Sequence, residues 1–120
     1  MSSPARLATL LIGLVLSASA LSHAMLDHAT PPVGSTVRVA PNRVELWFTE
    51  PLEPAFSTLR VVDAGGRQID GRDASVDKSD RKHLSVSLSS MPPGRYRVVW
   101  RVVSVDTHAT EGDFTFDVLP

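Results

Sequence analysis

Two short stretches near opposite ends of the chain carry residue types that hold metal ions. The first is SALSHAMLDHA, residues 19–29, in which His23 follows a run of small residues. A histidine at a free N-terminus offers its α-amine and its Nδ1 to one ion, closing a six-membered chelate ring. The second is SVDTHATEG, residues 104–112, in which Asp106 and His108 stand two apart. In extended backbone, residues i and i+2 project to the same side, so a carboxylate and an imidazole there can meet one ion. Alone the pair is a weak signal, because a loop Asp and His also sit in solvent or bond to their own turn. With His23 they form a set of three nitrogens and one oxygen. A tetragonal N,O environment suits Cu(II), which heads the divalent affinity series for such ligands. The expected site is one Cu(II) per chain on His23, Asp106 and His108, with no catalytic residue.

That chemistry requires the mature chain to begin at His23. Arg6 is followed by Leu7 to Ala20, fourteen residues without a charge, where a bilayer span needs about 20 apolar residues. A basic residue, an apolar core and the small residues Ala18, Ala20 and Ser22 predict a cleaved secretory signal peptide over 1–22 and a domain over 23–120. Cleavage after Ala20 satisfies the same small-residue rule. It would leave Leu21-Ser22-His23, a Cu(II)-chelating terminus built on backbone amides that needs neither Asp106 nor His108. Both cuts remain open at this level. No second hydrophobic span follows, so a soluble, exported product is expected.

Removing Arg6 with the leader leaves 13 acidic and 11 basic side chains, a net charge of −2. There is no basic stripe interleaved with aromatic residues, which argues against a nucleic-acid partner. Cysteine is absent, so an exported domain of this size must be held by its core rather than by disulfides. Strand patterns recur between turns. RVELWFT (43–49) sets Val44, Leu46 and Phe48 on one face and Glu45, Trp47 and Thr49 on the other. KHLSVSL (82–88) alternates Leu84, Val86 and Leu88 with polar residues. After Pro92-Pro93-Gly94, Tyr96, Val98, Trp100 and Val102 share a face, and Phe114, Phe116 and Val118 close the chain. No stretch after residue 23 keeps helical periodicity over three turns. The pattern predicts an all-β, Ig-like Greek-key sandwich or barrel of seven to eight strands. Residues 70–82 are expected to form an exposed, charged connection.

HAMLDHATPPVGS, VELWFTEPLE, PPGRYRVVWRVVSVDTHATEG and the final FTFDV together resemble the periplasmic copper-binding CopC family over nearly the whole mature chain. The resemblance implies a Greek-key β-domain that binds Cu(II) through the mature N-terminal histidine and the Asp-x-His pair, here His23, Asp106 and His108. It also implies copper exchange with an inner-membrane CopD-like transporter in copper resistance or homeostasis. Glu50, in FTE, matches a family acidic position near the site. Some family members carry a methionine-rich loop for Cu(I), but only Met25 and Met91 follow residue 22 and neither is clustered. Thioethers are what Cu(I) selects, so no dedicated Cu(I) site is expected.

The remaining candidates have plainer readings. His28 is placed near the site as a surface or hydrogen-bonding residue, within reach of an accessory ligand. His83 is expected in solvent opposite the Leu84 face. Trp47 and Trp100 are expected to pack, and Arg95, Arg97 and Arg101 to form a polar strand face. Two competing functions remain. A small histidine-brace copper monooxygenase would need a flat aromatic substrate surface. A metal-free Ig-like interaction module would take up no metal and give residue 23 no role.

Overall fold

The computed structural model describes residues 23–120, and the leader expected over 1–22 lies outside the described residues. Apolar alternation with a period of two generates the strands, because each must bury one face. They are β1 (Leu26–Thr30), β2 (Thr36–Val37), β3 (Arg43–Phe48), β4 (Thr58–Val62), β5 (Ser75–Val76), β6 (His83–Ser87), β7 (Gly94–Val103) and β8 (Ala109–Val118). One sheet runs β1-β3-β6-β5 and the other β2-β8-β7-β4. All pairings are antiparallel except β2 on β8.

The inward faces are those the alternation predicts. Val44, Leu46 and Phe48 of β3 meet Leu84 and Val86 of β6. Across the gap lie Val98 and Val102 of β7 with Phe114 and Phe116 of β8, all buried. Trp100 is half-buried against this core, 6.0 Å from Phe48 and 6.2 Å from Phe114 between ring centroids. Its register partner is Gly112. A Cβ there would stand 2.5 Å from the indole, so glycine is what lets the ring approach β8 this closely.

Within the stretch 104–112, β8 already begins at Ala109, so the β7–β8 connection spans only 104–108. Residues 70–82 are largely exposed, as expected, but they are not a free connection, because several of their acidic side chains also hold backbone amides. Buried Asp70 accepts the Val61 amide at 2.7 Å and the Arg72 amide at 2.8 Å. Asp73 accepts the Ser87 amide at 2.9 Å, and β5 pairs with β6. His83 is not in solvent: its side chain is 16% exposed. It stacks on Trp47 at 4.4 Å, with Glu45 and Asp77 near its two ring nitrogens.

Candidate metal centre

The site lies where the start of the chain meets the β7–β8 turn. Residues 23–25 are pinned from both sheets. Thr49, just past β3, donates its amide to the Met25 carbonyl at 2.9 Å and accepts the Met25 amide on its hydroxyl at 2.9 Å. From the other sheet, Thr110 of β8 donates its hydroxyl to the Ala24 carbonyl at 2.7 Å. Ala24 points inward and is 1% exposed, leaving His23 exposed beside the turn. The His23 ring stacks on that of His108, with centroids 4.6 Å apart and planes 12° from parallel.

The turn is built on Ser104. Its carbonyl accepts the Thr107 amide at 2.8 Å, and its amide donates to the His108 carbonyl at 3.0 Å. Thr107 takes φ +72°, a conformation that costs a β-branched residue energy and that its surroundings must enforce. Asp106 and His108 therefore do not meet by lying two apart on an extended strand. They meet because Asp106 caps its own turn: Oδ1 accepts the His108 amide at 3.3 Å and the Ser104 hydroxyl. This self-bonding is the plain behaviour of a loop Asp, and here it also sets a carboxylate against an imidazole.

Nδ1 of His108 stands 3.1 Å from Asp106 Oδ1. The approach is out of line for a hydrogen bond, so this buried nitrogen has no aligned partner among the described residues. A buried polar atom left unpaired costs free energy that a bound ion or a small ring rotation would recover. The Asp106 carboxyl is held below its ordinary value, chiefly by the Ser104 hydroxyl, with partial desolvation opposing and the neighbouring His108 adding. It is therefore an anion at neutral pH. A carboxylate beside two imidazoles is a donor set that fits a borderline divalent ion such as Cu(II).

As folded, the three side chains are adjacent but not converged. Among the described residues, no group of three His, Asp or Glu side chains is spaced to hold an ion. Stacking explains this, since ring lone pairs lie in the ring plane and two parallel rings do not aim at one point. For both rings to face one ion, the His23 ring would have to leave the stack.

The other candidates make contacts of their own. His28 bonds Asp27 at 2.6 Å and stacks on Trp47 at 4.5 Å, forming with His83 a three-ring ladder on the outer face of the first sheet. Half-buried Glu50 follows Thr49 in the chain, beside the segment that pins residues 23–25. Met91 is buried in the core, whereas Met25 is 60% exposed. Arg95 and Arg97 pair with Asp117 and Asp113 on the outer face of the second sheet. Sequence reasoning missed Ser104, Thr49 and Thr110. The available signal was short hydroxyl residues beside the Asp-x-His pair and at the end of β3.

The CopC domain model matches residues 26–119. The chain belongs to the CopC family. It is 39% identical to the protein YobA of Escherichia coli K12 over 105 residues, covering 87% of this chain and 85% of that protein. Its fold is similar to the crystal structure of CopC from Methylosinus trichosporium OB3b, with a TM-score of 0.77 and 31% identity over 82% of this chain and 95% of that one. It is also similar to PcoC, a methionine-rich copper resistance protein from Escherichia coli, with a TM-score of 0.69 and 31% identity, covering 81% and 99%. Among the described residues, no helix is long and apolar enough to cross a membrane.

Proposed function

We propose that this CopC-family chain is a periplasmic Cu(II) carrier, processed before His23, that holds one ion with His23, Asp106 and His108. The observation that carries this reading is the contact between His23 and the Asp106–His108 turn, residues more than 80 positions apart in sequence. Hydrogen bonds from both sheets support it by fixing the backbone of residues 23–25. A terminal amine on His23 adds a donor that the rings alone do not supply, and chelation by amine and Nδ1 gives that ring a reason to leave the stack. Names among the relatives, such as copper resistance protein, support copper as the cargo.

The charge of the donor set favours a carrier over an oxidase. Asp106 is anionic, which stabilises Cu(II) against the reduced ion that must meet oxygen. With Met91 buried in the core and Met25 exposed, the described residues offer no methionine cluster for a separate Cu(I) site, and the exchange partner in this reading is a CopD-like membrane transporter.

The test is the intact mass of the exported protein followed by titration with Cu(II). A chain beginning at His23 and saturating at one equivalent is expected. A chain beginning at Leu21 would contradict the brace, and no stoichiometric uptake would contradict the carrier.

A further inference from the structure

Ser104 is buried at 1% exposure beneath the turn that carries Asp106 and His108. We propose that it is a positioning residue for the metal centre: its hydroxyl fixes which oxygen of Asp106 faces the ion. This rests on the reading of Asp106 and His108 as ligands. A hydroxyl has one proton to give. The charged acceptor makes the stronger bond, so the proton goes to Asp106 Oδ1 rather than to the His108 carbonyl 3.2 Å away. That same oxygen receives the His108 amide at 3.3 Å and lies 3.1 Å from His108 Nδ1. Oδ1 is thus surrounded by its own turn. Among the described residues, Oδ2 accepts no hydrogen bond, which leaves it as the ligating oxygen.

The anchor is firm and the ligand is not. Ser104 forms an isolated bridge with Leu52, itself fully buried, so its hydroxyl is placed by the core. The Asp106 side chain is 40% exposed and would otherwise rotate between one-oxygen and two-oxygen presentation. Groups that orient a ligand from behind typically change metal affinity about 10–100-fold when removed. Ser104 therefore sets both how tightly the ion is held and the shape of its equatorial field.

The experiment is a double-mutant cycle on the full exported protein, read by Cu(II) competition against a chelator and by electron paramagnetic resonance. Ser104→Ala is expected to weaken Cu(II) binding about 10–100-fold and to shift the copper hyperfine splitting. In an Asp106→Asn background the same change should do little more, because the carboxylate it orients is gone. Equal effects in both backgrounds would overturn the proposal. So would a Ser104→Ala protein that melts lower yet binds with wild-type affinity and spectrum, the outcome for a purely structural serine. Should Ser104→Ala not fold, Ser104→Gly, which also removes the hydroxyl and adds no metal ligand, carries the same comparison: a loss confined to the Asp106 background supports the proposal, and equal losses overturn it. Wild-type protein that takes up no Cu(II) would overturn the metal-centre reading together with this one, and is recognised by that control.

Discussion

Asp106 and His108 do different work at low pH, and the difference is measurable. The Asp106 carboxyl sits below its ordinary value of 3.8, mainly through the Ser104 hydroxyl, so it stays ionised throughout the range from neutral to about pH 5. Imidazole and amine nitrogens must shed protons before they bind a metal. Cu(II) affinity should therefore fall from neutral pH towards about 5, and that fall belongs to the nitrogens. Asp106→Asn should lower affinity at every pH in this range while leaving the steepness of the decline unchanged. Chelator competition from about pH 5 to 7.5 checks this, and a flatter profile in the variant would place Asp106 among the titrating groups. The sequence showed these two residues as a pair, but the reason for their meeting was hidden. Extended backbone was expected, whereas Thr107 takes φ +72° and Asp106 caps its own turn. A positive φ at a β-branched residue runs against its own preference; here the turn closed by the Thr107 amide on the Ser104 carbonyl holds it, and the residue type alone does not announce it.

At the scale of strands and turns, period-two alternation made the inward faces of β3, β6, β7 and β8 legible from residue types alone. It works because a strand in a sandwich buries one face, and a slip by one residue would expose every apolar side chain on it. Alternation says nothing about polar residues that bind backbone, and this is where reading by pattern failed. Asp70 looks like a surface residue of a charged segment, yet it is buried and ties residues 70–72 to β4. Asp70→Ala should cost about 1–3 kcal/mol by leaving the Val61 amide unpaired, read as a lower urea midpoint with copper affinity retained. Gly112 gives the second test. A Cβ at this position would press 2.5 Å from Trp100, so Gly112→Ala should destabilise the fold by about 1–3 kcal/mol. Trp100 fluorescence will shift with it, and an unchanged melting curve would show that the indole has room to move.

Across the whole molecule, stability must come from the apolar core and from side chains that hold backbone, since the chain has no cysteine. Four aspartates are depressed in the folded protein: Asp73 chiefly by the Ser87 amide, Asp77 by the Ser79 amide, Asp106 by the Ser104 hydroxyl and Asp117 by Arg95. A carboxyl lowered on folding contributes stability above its unfolded value and loses it as pH falls through the folded one. Thermal midpoints should therefore hold between about pH 5 and 7 as far as these groups are concerned, then drop below about pH 4. A midpoint that rises on acidification below about pH 4 would contradict the assignment. The two sheets also explain the site: β1 belongs to one and β8 to the other, and residues 23–25 are held between them by Thr49 and Thr110. Chain start and final hairpin are thereby brought to one end of the sandwich. In the function proposed for it, one Cu(II) joins these two ends through the amine and ring of His23, Asp106 and His108. Pulsed electron paramagnetic resonance of the exported protein, loaded with one equivalent of Cu(II), reads that junction itself. Modulation from the remote nitrogens of two imidazoles is expected, falling to one in His108→Ala with weaker binding. An identical spectrum and affinity in His108→Ala would mean that the ion does not bridge the two ends.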